Sequence, residues 1–60
     1  MRKKEIIKIL MDRDGMTHEE AVEELNTCIE EMRVLIAQGK FLEAEDVFSD
    51  MLGLEPDYIL

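Results

Sequence analysis

Five apolar residues, Val22, Leu25, Ile29, Met32 and Ile36, recur at alternating spacings of three and four. Such a pattern gathers its members on one side only in an α-helix, whose turn takes 3.6 residues. The start of this helix is marked too. Thr17 is followed three residues later by Glu20, a capping box in which each side chain satisfies a backbone N–H at the other's position. Glu19 and Glu20 place negative charge in the first turn, where the helix dipole favours it. Gly39 closes the helix as the left-handed residue after its last turn.

Two shorter helices flank this one. The first runs from Arg2 to about Met11, with Ile6 and Leu10 on one face and Ile7 and Met11 widening it, and Asp14-Gly15 turns the chain afterwards. The last spans Phe41 to Leu52, with Phe41, Ala44, Phe48 and Met51 on one face, and Gly53 ends it. Pro56 then starts a short turn over 57–60 or leaves an apolar tail. The expected fold is all-α, a single helical domain over residues 1–60, with the second and third helices as an antiparallel hairpin.

Sixty residues bury only about 60% of the surface that the unfolded chain exposes, so the core of one copy gives marginal stability. Small scaffolds are usually reinforced by disulfides, a metal or self-association. One cysteine, Cys28, cannot form an internal disulfide, and no zinc-ligand spacing is present. Yet 47% of the residues are hydrophobic, more than three short helices can hide in one another. A homo-oligomer built on Val22, Leu25, Ile29, Met32 and Ile36 is the expected reinforcement.

The net charge of −8 is divided unevenly. Residues 1–13 hold five cations against two acids, for +3, whereas residues 14–60 hold two cations against thirteen acids, for −11. The acidic part repels nucleic acid and anionic membranes, so neither is an expected partner. The absence of disulfide pairing fits a reducing, cytoplasmic setting. The apolar run after Arg2-Lys3-Lys4 is interrupted by Lys8 and Asp12, so neither a signal peptide nor a membrane span is expected.

Catalytic chemistry finds no foothold. His18 and Ser49 are the single histidine and the single serine, and nothing in the sequence assembles a nucleophile, a base and an orienting group around them. Cys28 stands beside the apolar stripe among acids, the wrong surroundings for a reactive thiolate. Asp12, Asp14 and Gly15 contain calcium-loop residue types, but in that register Leu10 and Ala21 would fall at the end ligand positions. No enzyme activity, metal or cofactor is expected.

Ala37-Gln38-Gly39-Lys40-Phe41-Leu42-Glu43-Ala44, continued by Phe48 and Pro56, resembles the second half of a tetratricopeptide repeat. The first half departs from that pattern, with Met32 where a small residue belongs and Cys28 in place of an aromatic. The resemblance implies hairpin geometry, and the family's peptide-binding role does not carry over. A second resemblance covers nearly the whole chain. Asp12-Arg13-Asp14-Gly15-Met16-Thr17 with Glu19-Glu20-Ala21, and Leu52-Gly53-Leu54-Glu55-Pro56-Asp57-Tyr58, resemble short acidic proteins of phages and prophages of Gram-positive bacteria. This implies an accessory factor that neutralises a host defence in the bacterial cytoplasm, by blocking a host protein or by soaking up a nucleotide signal.

Two kinds of binding follow as expectations. In the first, favoured by the net charge, the protein inhibits a host protein, with Glu43, Asp46 and Asp50 as contact residues beside apolar extras such as Val34 and the Tyr58-Ile59-Leu60 tail. In the second, a homo-oligomeric sponge sequesters a small, cyclic nucleotide. Arg2, Lys3, Lys4, Lys8, Arg13 and Arg33 would then hold phosphate, and Phe41 or Tyr58 would stack on a base. Arg13 is singled out because the Asp12–Gly15 turn sets it just ahead of the second helix's N-terminus.

Overall fold

The capping box forms as the sequence prescribes. In the computed structural model, which describes residues 2–55 and Tyr58, the Glu20 N–H donates to Thr17 Oγ1 at 3.1 Å and the Thr17 N–H donates to Glu20 Oε1 at 2.9 Å. From this start α2 runs through His18–Ala37. It is preceded by α1, Lys3–Asp14, and followed by α3, Phe41–Leu52. The described residues contain three helices and no strand. Pro56, Asp57, Ile59 and Leu60, where the closing turn or tail was expected, lie outside the described residues.

Gly39, at φ 76°, takes the left-handed conformation that lets the chain reverse. The Gly39 N–H reaches back to Ile36 C=O and the Lys40 N–H to Leu35 C=O, satisfying carbonyls at the end of α2. α3 then packs back along α2. Gly53 closes α3 in the same left-handed way, its N–H donating to Ser49 C=O at 2.8 Å.

α1 continues three residues beyond the expected Met11 and stops at left-handed Gly15. Its apolar pattern ends at Met11, but nothing in Asp12-Arg13-Asp14 breaks a helix. The glycine, not the loss of periodicity, sets the terminus.

Nine side chains form the core: Ile6 and Leu10 from α1, Ala21, Leu25, Cys28 and Met32 from α2, and Ala44, Phe48 and Leu52 from α3. The buried line of α2 therefore turns away from the expected stripe and divides it. Leu25 and Met32 lie inside the chain, Val22 and Ile29 are half-buried, and Ile36 is 44% exposed. Ala21 and Cys28 occupy the centre instead, because small side chains let two helices approach α2 at once. Leu25 and Met32 thus serve the chain's own interior and offer no surface to a second copy.

Lengths complete the arrangement. At 1.5 Å per residue α2 is about 30 Å long, while α1 and α3 are each about 18 Å. A three-residue connection, 15–17, ties α1 to the start of α2. α1 therefore ends well short of the hairpin turn, and the α2–α3 end projects past it. The long dimension of the molecule, 33 Å against 19 and 16 Å, is that of α2.

Two substitutions test this account in circular-dichroism melts. Thr17→Ala removes half of the capping box, costing about 1 kcal/mol, and lowers the midpoint by about 4–8 °C in a domain of this size. Leu25→Ala opens a cavity in the core and costs about 2–5 kcal/mol, enough to unfold much of so small a domain. A midpoint unchanged by Leu25→Ala would place that residue outside the core.

Candidate functional site

The basic residues of α1 are on the surface. Arg2, Lys3, Lys4 and Lys8 are all exposed, and Arg2 makes an i,i+3 pair with Glu5 at 3.7 Å. The backbone N–H of Arg2 donates to the Tyr58 C=O at 3.3 Å, which ties the start of α1 to the chain beyond the end of α3. Lys4 and Lys8 border a shallow groove with Ile7, Met11, Asp12 and His18 where α1 meets the start of α2.

Arg13 departs from its expected role. It sits in the last turn of α1, and its guanidinium reaches the far end of α3. Nη2 donates to Leu52 C=O at 2.6 Å and Nη1 to Gly53 C=O at 3.2 Å, while Nε and Nη2 each hold an Asp14 carboxylate oxygen at 2.9 Å. Carbonyls at a helix C-terminus have no donor within the helix, and the dipole makes that end negative. A planar cation with a fixed fork of donors suits both conditions. Four of Arg13's five N–H donors are engaged, so the residue is a cap for α3 and not a free anion ligand. The hydrogen bond from Arg13, supported by its charge, holds the Asp14 carboxyl below its ordinary range.

The remaining candidates are scattered. Arg33 pairs with Glu30 at 3.6 Å on the exposed side of α2. Tyr58 is half-buried against the core. Phe41, expected on the buried face of α3, is 61% exposed. It begins α3 at the projecting end, one turn beyond Ala44, where α1 no longer reaches. Lysines of α1, Arg33 and the two aromatics are not brought into one site.

Glu43, Asp46 and Asp50 do share a location. Their spacings of three and four place them in one exposed row on the outward side of α3, with Glu43 paired to Lys40 at 3.9 Å. Glu19, Glu23 and Glu30 are likewise exposed along α2. Large apolar side chains are exposed at the projecting end, Phe41 and Leu42 (77%) on the first turn of α3 and Ile36 on the last turn of α2. Val34, 57% exposed, lies about half a turn from the buried Leu25 and Met32 and faces away from the core. Sequence reasoning passed over Leu42 as a surface residue. The signal was available, since Leu42 lies off the Ala44–Phe48–Leu52 line and has no place in the core.

His18 is exposed, and Cys28 is fully enclosed; burial, then Glu31 and Glu24, push its thiol above its ordinary range. Among the described residues, no three His, Cys, Asp or Glu side chains converge so as to hold a metal ion, and no helix is long and apolar enough to cross a membrane. Comparison with protein-family models, with curated proteins and with solved structures found no match to this chain.

The capping role of Arg13 predicts that Arg13→Ala lowers the thermal midpoint and that Arg13→Lys, lacking the fork, recovers only part of the loss. Asp14 adds a pH dependence. Its folded pKa is depressed, so its contribution is present above the ordinary carboxylate range and fades as pH falls through the folded value. Asp14→Asn therefore flattens the acid limb of a midpoint-against-pH curve. An Arg13→Ala protein as stable as the parent would remove the cap from the account.

Proposed function

We propose that this chain is a non-enzymatic binding protein that acts by occupying a surface of a protein partner. The observation that carries the reading is the juxtaposition at the hairpin end. Leu42, 77% exposed, stands next in sequence to Glu43 and one turn from Asp46, in the acidic row Glu43–Asp46–Asp50 of α3. A solvent-facing apolar cluster rimmed by charge is how interaction surfaces differ from ordinary protein surface. The partner surface it suits is apolar and bordered by Lys or Arg, such as a site made for a phosphate backbone. The setting implied by the phage resemblance, a factor that blocks a host defence protein in the bacterial cytoplasm, is part of the same proposal.

The nucleotide-sponge alternative has less to stand on. The cation it depended on most, Arg13, is committed to α3, and the exposed lysines of α1 have neither aromatic candidate among their groove residues.

The test is capture of the partner from host lysate by tagged protein, followed by measured affinity. Reversing charge with Glu43→Lys, Asp46→Lys and Asp50→Lys together weakens binding at least tenfold, about 1.4 kcal/mol. These positions are exposed, so the fold survives, as a melt will verify. Capture that the triple reversal leaves intact would refute the assigned surface.

A further inference from the structure

The hairpin end asks for a particular complement. Ile36, Phe41 and Leu42 present apolar surface there, and Glu45 stands one turn from both Phe41 and Leu42, at i+4 and i+3. Glu45 makes no ion pair among the described residues. The matching surface is a helix with an apolar strip beside a row of cations. The chain carries one. On α1, Ile7 and Met11 are half-buried at i,i+4 spacing, and Lys4 and Lys8, also i,i+4, run beside them. Neither lysine is paired within the chain among the described residues.

We propose that the hairpin end of one copy docks on the Lys4–Ile7–Lys8–Met11 side of α1 in a second copy, head to tail. The two surfaces match in apolar area, with Ile36, Phe41 and Leu42 against the outer parts of Ile7 and Met11. They match in charge too, Glu45 against Lys4 and Lys8, two cations that outnumber Asp12 in the same groove. A modest stable interface takes about 600 Å² from each partner, about a seventh of the chain's 4259 Å² surface. The net charge of −8 on each copy opposes approach. At physiological ionic strength that repulsion is screened beyond about 8 Å, so contacts at the interface decide the outcome. Because the two surfaces differ, each joined copy leaves one of each kind free, and the assembly closes into a ring or extends. This inference adds α1, Phe41 and Glu45 and shares Leu42 with the partner surface proposed above, so a docked second copy and a partner compete for the hairpin end.

The experiment is sedimentation velocity on the full chain and on two variants, Leu42→Glu at the hairpin end and Lys4→Glu/Lys8→Glu on α1. All three positions are exposed, and unchanged circular-dichroism melts establish that the variants fold. The parent sediments as an assembly that grows with concentration, and each variant alone is a monomer. Mixed in equal amounts, the variants pair as a species of twice the chain mass that grows no further, because each retains one intact surface. A monomeric parent overturns the proposal. So does an assembly that neither substitution disturbs. Variants that fail to pair when mixed, or a single variant that still self-associates because like surfaces meet, also overturn it. A monomeric parent that binds a Lys-rich amphipathic peptide would assign the hairpin end to a foreign helix instead. Capture by the Glu43, Asp46 and Asp50 triple variant reads the partner surface independently, so failure of one proposal is distinguishable from failure of the other.

Discussion

The buried line Ala21–Leu25–Cys28–Met32 is the wall against which the rest of the molecule is built. Both shorter helices pack on α2, and no hydrophobic core of this size could be completed by either of them alone. The wall has to be narrow in the middle, since two neighbours approach it from adjacent sides. Ala21 and Cys28 provide that, while Phe48, Ile6 and Leu10 supply the bulk from across the contact. Dispersion and burial are short-ranged, so these few enclosed side chains decide where α1 and α3 lie.

Polar contacts then fix what packing leaves loose. α1 and α3 touch α2 along their lengths, but their common end is held by Arg13, which hydrogen-bonds the last carbonyls of α3. Gly53 lies close enough that a Cβ there would stand 3.3 Å from the Arg13 guanidinium. The glycine thus serves twice, allowing the left-handed turn that closes α3 and leaving room for the cation that caps it. At the other end, the Arg2–Tyr58 backbone bond ties the start of α1 to the residues after α3.

Local chemistry was legible in the sequence, and long-range chemistry was not. The capping box, the Gly39 reversal and the limits of α3 each depend on residues within a few positions of one another, and the structure has them where the sequence placed them. The length of α1 was misjudged because apolar periodicity says where a helix is covered, not where it ends. Periodicity also identifies apolar residues without naming the neighbour that covers each. Leu25 and Met32 could therefore be read as a surface between copies when α1 and α3 enclose them. Phe41 fits the α3 stripe on spacing alone, and only the shortness of α1 leaves it bare. Arg13 shows the same limit from the polar side: its partners are about forty residues away and are backbone atoms, on which side-chain identity leaves no mark. Of the candidate site, the acidic row could be read directly, whereas Leu42 beside it gained meaning only once the projecting end was known.

Enclosure of Cys28 gives the chain an internal chemical reporter. Its sulfur rests 3.8 Å from that of Met32, inside the wall that both flanking helices share. A thiol so placed meets no solvent while α1 and α3 remain docked, and its raised pKa keeps it in the unreactive protonated form. Alkylation of the native protein must therefore wait for α2 to be uncovered. The rate of that reaction counts opening events, at a single atom in the middle of the fold, with no label to introduce and no second thiol to confuse the signal.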